Sequence, residues 1–219
     1  RQALIGPNGA GKTTLVNLLT GALAPSAGRV LLEGRDITGL PQHRRVQLGL
    51  ARTFQINQLF AELTPLESVI MVVCQREGAD AAWWRPLARE RAAVEDAVAL
   101  LERLRIADVM DQPAGTLPYG KQRLLELALA LACRPRVLLL DEPAAGVARA
   151  EREEILAVIE ALPREVSLLL IEHDMDLVFR FAERIAVLVN GALLALGTPG
   201  EVAADSRVRD AYLGKSVDV

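Results

Sequence analysis

This sequence has little of several features that would indicate a nucleic-acid-binding, membrane-spanning or secreted protein. Aromatic residues make up 4% of the 219 residues, there are two cysteines and two histidines, and the net charge is -3. Without a basic excess or a polybasic segment, the chain has no electrostatic footprint for nucleic acid, so we expect no nucleic-acid partner. No apolar run approaches the ~18–20 residues of a membrane-spanning helix, and we expect no signal peptide.

The residues that are plentiful describe a globular chain with a large apolar fraction. Hydrophobic residues account for 51% and charged residues for 24%, and the mean hydropathy is +0.23. This indicates either a large aliphatic core or a subunit that covers part of its surface in an assembly. Cys74 and Cys133 stand alone in apolar helical patterns, which predicts buried thiols in a reducing compartment rather than a disulfide or a metal site.

The most informative stretch is a glycine-rich segment at residues 6–14, which we call the phosphate loop. It has the spacing G-x-x-x-x-G-K-T, follows an apolar run at residues 3–5 and precedes a helical pattern that Gly21 ends. Glycines bring backbone N–H groups against phosphate oxygens, and a helix N-terminus adds its dipole. The predicted nucleotide-binding residues are Gly6, Pro7, Asn8, Gly9, Ala10, Gly11, Lys12, Thr13 and Thr14.

Two side chains of the phosphate loop have specific predicted roles. Lys12 can reach the β- and γ-phosphates as a point charge, and the Thr13 hydroxyl can bind Mg²⁺. The alternative is a glycine turn that caps an ordinary helix. The lysine and threonine at these offsets favour the phosphate site.

Strand and helix patterns alternate at both ends of the chain, which predicts an α/β fold with a parallel sheet. Residues 56–135 contain helical patterns and no convincing strand. We therefore predict a single domain, with a nucleotide-binding core at residues 1–55 and 136–219 and a helical insertion at residues 56–135. Residues 28–34 are predicted as one short strand between glycines. Because the sequence opens with Arg1 and a very short strand, we expect further N-terminal strands upstream.

The helical insertion has clear local signals. Residues 64–67 form a capping box with proline at the first helical position, which predicts a helix to about Arg76. A long amphipathic helix is predicted over about residues 88–105. Trp83 and Trp84 lie between these helices, and they either fill a gap under the insertion or contact a membrane partner. The apolar side of the long helix consists of Val94, Val98, Leu101 and Leu104.

Acidic residues end an apolar strand at residues 137–140. An acid at the carboxyl end of a buried parallel strand lies where the ligand crevice opens. Asp141 can hold Mg²⁺ through its water shell, and Glu142 can polarise a water for in-line attack on the γ-phosphate. The alternative is a strand that merely ends in solvated acids, and the phosphate loop argues against it.

Two other polar residues are predicted near the phosphates. His173 follows the apolar strand at residues 166–171, which should lie beside the strand of Asp141, so its imidazole can contact the γ-phosphate and the attacking water. His43, in a charged loop, is interpreted as solvated. Gln55, at the exit of another strand, could reach the metal and the water, but the glutamine alone does not decide this.

With these residues in place, the chain resembles the ATP-binding subunit of an ABC transporter over essentially its whole length. The resemblance implies a P-loop NTPase (RecA-like) fold and ATP hydrolysis coupled to transmembrane transport, with ATP and Mg²⁺ as ligands. It implies catalytic roles for Glu142, His173 and Gln55, and metal contacts for Thr13, Gln55 and Asp141. The matching motifs, in order, are the phosphate loop, a glutamine loop at residues 53–55, a signature-like segment at residues 117–123, the acidic strand at residues 138–143 and a switch histidine at residues 172–174.

The same resemblance implies the partners. Two such subunits, identical or different, would lie head to tail, and each ATP would contact the phosphate loop of one and the signature segment (residues 117–123) of the other. Tyr119, Gly120 and Lys121 would make that contact, since Gly120 opens a helix whose N–H groups can face a phosphate. Transmembrane permease subunits would grip a groove beside the helical insertion, and a substrate-binding protein would take part indirectly. This places the chain peripherally on the cytoplasmic face of the plasma membrane.

The signature segment departs from the usual Leu-Ser-Gly-Gly-Gln. Pro118 and Tyr119 replace the serine and the first glycine, Lys121 replaces the glutamine, and Ala148 stands where Asp or Asn is usual. This variant signature, together with residues 141–146, residues 172–175 and the C-terminal tail, is similar to the branched-chain amino-acid uptake group. The step from this similarity to function is an analogy. That similarity implies a bacterial or archaeal importer for Leu, Ile, Val or a related compound.

Two other functions stay open at this point. A soluble ABC-type ATPase acting on nucleic acid or ribosomes would favour two fused cassettes or a basic surface. A nucleotide-binding structural subunit with little turnover is encouraged by Pro118 and Ala148. A simple nucleotide kinase or GTPase is disfavoured, because neither needs the signature segment or the switch histidine.

Overall fold

The fold is described from a computed structural model over residues 1–53, 59–77 and 91–213, with residues 212 and 213 described as backbone. The predictions made for Gln55, Trp83 and Trp84 lie outside these residues.

A six-stranded sheet forms the centre of the molecule. Its strands are β1 (Gln2–Ile5), β4 (Leu50–Arg52), β5 (Val137–Asp141), β6 (Ser167–Ile171), β7 (Arg184–Val189) and β8 (Ala192–Gly197). They lie in the order β4-β5-β6-β1-β7-β8. Neighbouring strands are parallel from β4 to β7, and β8 is antiparallel to β7. The predicted α/β fold with a parallel sheet is confirmed.

A second, two-stranded sheet corrects one prediction. Residues 28–34 do not form one strand; β2 (Leu31–Leu32) pairs antiparallel with β3 (Arg35–Asp36). The turn between them consists of Glu33 and Gly34, whose φ angles are 50° and 80°. Two successive residues with positive φ match the twist of a tight hairpin, so the chain reverses where a continuous strand was expected.

Helices cover the sheet and build the insertion. Their bounds are α1 (Lys12–Thr20), α2 (Gln42–Gln47), α3 (Pro65–Arg76), α4 (Arg91–Arg103), α5 (Tyr119–Ala132), α6 (Arg149–Glu160), α7 (Met175–Phe181), α8 (Pro199–Ala204) and α9 (Ser206–Leu213). In the described part of residues 56–135, α3, α4 and α5 occur without a strand.

Helices α3 and α4 show which sequence signals were sufficient. The capping box at the start of α3 is present as predicted: Glu67 N–H donates to the Thr64 hydroxyl at 3.2 Å, and Thr64 N–H donates to Glu67 at 2.9 Å. The predicted Leu101 and Leu104 are buried, but Val94 and Val98 are only half-buried, and Ala93 and Ala97 are buried beside them. The small alanines let α4 approach its neighbours closely.

Apolar clusters hold the helices to the sheet, and two of them lie on the same face. The larger joins α3, α4, α5 and α6 to the central strands and includes the fully buried Leu101, Leu125 and Leu138. The other lies between β1, β7 and the C-terminal helices, around Ile5 and Val187. A third cluster lies on the opposite face, where Val16 of α1 packs with Leu4 and Leu139. The strands that carry the predicted site are therefore fixed from both faces of the sheet.

Cys74 and Cys133 form no disulfide, as predicted. Both are half-buried rather than buried. Burial raises the pKa of the Cys133 thiol.

Candidate functional site

The phosphate loop lies between β1 and α1, at the carboxyl edge of the parallel strands. Three glycines shape it. A Cβ on Gly6 would lie 2.2 Å from the Leu188 carbonyl oxygen, so no side chain fits there. Gly9 and Gly11 have φ angles of 78° and 97°, which favour glycine, and Gly11 is the N-cap of α1.

Backbone hydrogen bonds hold the loop in a curled conformation. Ala10 N–H donates to the Pro7 carbonyl at 3.1 Å, and Gly191 N–H, from the turn between β7 and β8, donates to the Ala10 carbonyl at 2.9 Å. The loop is thus braced by a segment far away in sequence. This leaves a stiff concave backbone of the kind that binds phosphate.

Lys12 curls back over the loop. Its Nζ donates to the Gly6 carbonyl at 2.6 Å and to the Pro7 carbonyl at 3.2 Å. Burial lowers the pKa of the Lys12 ammonium, and the carboxylates of Glu142 and Asp141 oppose that shift. The ammonium is therefore positioned in the concave side of the loop, near two acids. Thr13 and Thr14 are exposed beside it.

The acidic strand lies where the sequence predicted. Strands β5 and β6 are parallel neighbours, and Asp141 pairs in register with Ile171. Asp141 is buried, with 4% of its surface exposed. Its Oδ2 accepts a hydrogen bond from Arg52 Nη2 at 2.7 Å. Arg52 in turn donates from Nη1 to the Asn17 side chain at 2.8 Å.

Sequence reasoning missed Arg52. The signal was present, because Arg52 ends β4, the strand that pairs with β5, and neighbouring parallel strands present their carboxyl ends together. A cation at the end of one strand and an acid at the end of the next would be expected to meet once the order of the strands in the sheet is known.

Glu142 and His173 come together across the ends of β5 and β6. The His173 Nδ1 atom lies 3.5 Å from Glu142 Oε1. Glu142 adopts a φ of 46°, a left-handed conformation that is uncommon for a residue with a side chain. Its N–H donates to the Ile171 carbonyl at 3.0 Å, which holds it there. Strained conformations of this kind cluster at functional sites.

Glu172 is a second acid that sequence reasoning left without a role. It is buried, with 4% of its surface exposed, and its Oε2 accepts a hydrogen bond from the His173 N–H at 3.3 Å. Burial raises the pKa of the Glu172 carboxyl. Two carboxyl groups therefore lie near the same imidazole nitrogen, since Glu172 Oε2 is 3.9 Å from His173 Nδ1.

The signature segment opens α5, and its contacts lie within the insertion and against α6. Pro118 is the N-cap and makes no side-chain capping bond. A Cβ on Gly120 would lie 2.9 Å from Glu151 Cβ. Lys121 Nζ donates to the Arg105 carbonyl at 2.6 Å. Tyr119 is 39% exposed. The lysine side chain, predicted to contact nucleotide, is thus held by the turn after α4.

The donors available for a divalent cation are few. In the described residues, no three His, Cys, Asp or Glu side chains gather as a metal-binding group. The Thr13 hydroxyl and the Asp141 carboxylate are hard oxygen donors, which suit Mg²⁺. Mg²⁺ in nucleotide sites is completed by phosphates and water, so these two residues fit such a site.

A groove separates the core from the helical insertion. Its volume is about 460 Å³, and it lies between α2 and β4 on one side and α3 and α5 on the other. Most of the lining is apolar, and Arg52 and Glu126 are its charged members. His43 is exposed as predicted, but it lies in α2 rather than in a loop, and it also lines the groove. The apolar lining includes Val46, Leu50, Leu59, Val72, Leu129 and Ala130.

The fold and this site together define a P-loop nucleoside triphosphatase: a glycine-lysine loop joins a central parallel strand to a helix, and acids end an adjacent strand. Comparisons with known proteins agree. The family model described as "ABC transporter" matches residues 1–145. The one described as "Branched-chain amino acid ATP-binding cassette transporter" matches residues 192–218.

Individual relatives are similar over nearly the whole chain. The high-affinity branched-chain amino acid transport ATP-binding protein BraF of Pseudomonas aeruginosa is 42% identical over 98% of this chain and 87% of its own length. LivG of Escherichia coli K12, with the same description, is 39% identical over the same shares. The crystal structure of the ADP conformation of MJ1267, an ATP-binding cassette of an ABC transporter, is 34% identical with a TM-score of 0.82, over 97% of this chain and 87% of that one.

The chain belongs to the ABC transporter family, as one of its ATP-binding cassettes. The resemblance stated from the sequence is confirmed. Across the described residues, none of the helices combines the length and apolar character needed to cross a bilayer.

Proposed function

We propose that this chain binds and hydrolyses ATP to drive an ABC importer of branched-chain or chemically related amino acids. The observation that carries the catalytic part is the convergence of Lys12 with the Glu142–His173 pair at one edge of the sheet. The substrate class is supported by the branched-chain amino acid transport function of BraF and LivG and by the family match at residues 192–218.

ATP binding would use the backbone N–H groups of the phosphate loop and the Lys12 ammonium. Lys12 would exchange the Gly6 and Pro7 carbonyls for phosphate oxygens, which are stronger acceptors because they are charged. Thr13 and Asp141 would hold Mg²⁺, which neutralises charge on the phosphates when bound. Gln55 remains a proposed contact to the metal and to the attacking water.

Hydrolysis would use Glu142 to orient and polarise a water molecule. The water would give a proton to Glu142 as its oxygen bonds to the γ-phosphorus and the bond to the β–γ bridging oxygen breaks, which yields ADP and inorganic phosphate. His173, 3.5 Å from Glu142, would contact the γ-phosphate and keep the carboxylate in place. The left-handed backbone of Glu142 would fix its direction in advance.

A second cassette would complete the site. Tyr119, Gly120 and Lys121 make their contacts within the insertion and against α6, which supports a role toward the phosphates of a partner. Gly120 is buried against Glu151, so its lack of a side chain lets the start of α5 pack tightly on α6. The N–H groups and the dipole of α5 would face the γ-phosphate bound to the other copy.

The groove would receive a helix of a transmembrane permease subunit. Its largely apolar lining and its position between core and insertion suit an amphipathic helix. A substrate-binding protein would deliver the amino acid to that permease. The chain would then lie on the cytoplasmic face of the plasma membrane as a peripheral subunit.

The test of hydrolysis is Glu142→Gln. The amide keeps the shape but cannot act as a base, so turnover should fall by a factor of about 100 or more. ATP binding should persist, and an ATP-bound dimer should accumulate in size-exclusion chromatography with Mg²⁺. Glu153→Gln, an exposed carboxylate on α6, serves as the matched control. Unchanged turnover in E142Q would refute the role of Glu142.

The substrate class is tested in the assembled complex. The permease subunits that co-purify with the chain would be reconstituted in liposomes with their binding protein. Leucine, isoleucine or valine should stimulate ATP hydrolysis, and lysine or glutamate should not. Stimulation by the charged amino acids alone would contradict the substrate assignment.

One observation favours a second candidate, a cassette with little turnover. Pro118 stands where the usual signature has serine, so the hydroxyl that would hydrogen-bond the phosphate is missing. Under this alternative, the complete complex binds ATP but hydrolyses it no faster than E142Q. Pro118→Ser should then raise turnover by restoring the hydroxyl.

A further inference from the structure

Arg52 joins three parts of the nucleotide site. It is the last residue of β4, and its two terminal nitrogens reach in different directions. Nη2 donates to Asp141 at the end of β5 at 2.7 Å, and Nη1 donates to Asn17 in α1 at 2.8 Å. One guanidinium therefore ties the acidic strand to the helix that follows the phosphate loop.

The ion pair is largely removed from solvent. The side chains of Arg52 and Asp141 are 13% and 5% exposed. A buried carboxylate left without its cation is costly, so the pair is a strong constraint on where Asp141 points. Because the guanidinium is a rigid fork held also by Asn17, it fixes direction as well as charge.

The direction of Asp141 matters for the proposed metal. Mg²⁺ tolerates little deviation from octahedral geometry, so a carboxylate that serves it must be oriented in advance. Arg52 engages Oδ2, which leaves Oδ1 as the oxygen that can face the metal and its water shell. Residues that orient a metal-binding carboxylate in this way typically contribute 10–100-fold to metal affinity.

Arg52 also borders the groove, together with Thr53 and Glu126. The residue that orients Asp141 is therefore accessible from the side where a partner helix is proposed to dock. We propose that Arg52 is a positioning residue that orients Asp141 for Mg²⁺ from a position that borders the groove. This inference rests on the proposed ATPase function.

The experiment measures ATP binding by calorimetry at increasing Mg²⁺ and in EDTA. In Arg52→Gln, the Mg²⁺ concentration for half-maximal binding should rise about 10- to 100-fold, while ATP affinity in EDTA changes less than about twofold. Arg52→Lys should recover part of the loss, because an ammonium can pair with Asp141 but cannot also hold Asn17 as a fork. Asn17→Ala should cause a smaller rise than R52Q.

The control is Arg76→Gln on α3, which removes an arginine that bonds Asp96 and the Ala132 carbonyl in a separate network. It should leave the Mg²⁺ dependence of ATP binding unchanged. A thermal unfolding curve of each variant verifies that it is folded at the temperature of the titration.

The outcomes separate the inference from the proposed function. If the wild-type chain fails to bind ATP, the proposed function is wrong. If the wild type binds ATP and R52Q has the same Mg²⁺ dependence or a stronger affinity for Mg²⁺, the inference alone is wrong. Equal losses with Mg²⁺ and in EDTA would show a merely structural ion pair, which also overturns it.

Discussion

At the scale of single residues, the phosphate loop is constrained by space as much as by backbone conformation. Gly6 has the Leu188 carbonyl where a side chain would begin, whereas a Cβ on Gly9 would meet nothing within 4 Å. Both positions look alike in the sequence motif. They differ because β7 passes close to one of them.

This difference predicts unequal effects of two alanine substitutions. Gly9→Ala should cost about 1 kcal/mol of folding free energy, since its φ of 78° disfavours a side chain. Gly6→Ala should cost about 3 kcal/mol or more, because the strand or the loop must move. Urea unfolding measures both values, and Gly39→Ala, in open space, is the control. Equal costs for G6A and G9A would contradict this account.

Glu172 predicts a pH dependence. Because burial raises its pKa in the folded state, the group favours folding at low pH and this contribution is lost as the pH rises through the folded pKa. In Glu172→Gln the side chain stays neutral. The melting temperature of E172Q minus that of the wild type should therefore increase between about pH 4 and pH 7. The exposed Glu165→Gln serves as control, and a difference that shrinks with rising pH would refute the prediction.

At the scale of elements, one buried arginine caps the last turn of α1, the helix that follows the phosphate loop. Arg45, 1% exposed, donates to the carbonyls of Leu18 and Leu19 in the last turn of α1. It also donates to Leu40 and Thr38. Burial lowers the pKa of this guanidinium. The last turn of α1 is thereby tied to the segment between β3 and α2.

Replacing this arginine should destabilise the whole chain. Arg45→Met leaves buried carbonyls without a donor, at a cost of about 2–4 kcal/mol in unfolding free energy. The neighbouring Arg44→Met is the matched control, since Arg44 is exposed and bonds only Gln47 in the hydrogen bonds described, and it should change stability by less than about 0.5 kcal/mol. Similar values for R45M and R44M would contradict the proposed role.

The helices and strands were predictable where residues close together in sequence mark them. Thr64, Pro65 and Glu67 specified the start of α3 because capping involves residues three apart in sequence. The hairpin at Glu33 and Gly34 was missed, because only the second residue is glycine and the strands are two residues long. On α4, Leu101 was predicted correctly, but the buried positions Ala93 and Ala97 were missed, since alanines contribute little to an apolar pattern.

Interactions between distant elements were not predictable in the same way. Arg52 and Arg45 carry no motif, and their partners are set by the sheet order and by helix ends rather than by spacing. The approach of His173 to Glu142 was foreseeable, because each follows a strand and the two strands were expected to be neighbours.

At the scale of the whole molecule, the proposed dimer makes a prediction about mixtures. Lys12→Ala removes the phosphate-loop charge, and Tyr119→Glu places a carboxylate at the start of α5. Each variant alone should be inactive at both sites of its dimer. In a mixed dimer one site combines an intact loop with an intact signature segment, so hydrolysis should reappear at up to about a quarter of the wild-type rate on equal mixing.

Size-exclusion chromatography and an ATPase assay of the mixture check this expectation. K12A alone, at the same total protein concentration, is the control. Failure to recover any hydrolysis, with mixed dimers present, would contradict a site shared between two copies of this chain.

The bond from Gly191 to Ala10 has a consequence for synthesis. Strand β1 lies between β6 and β7, and the phosphate loop is braced by the turn that follows β7. A nascent chain therefore carries Ala3, Leu4 and Ile5 unpaired while most of the remaining sequence leaves the ribosome. The phosphate loop is braced only after the β7–β8 turn has emerged, so an interrupted translation product would consume no ATP.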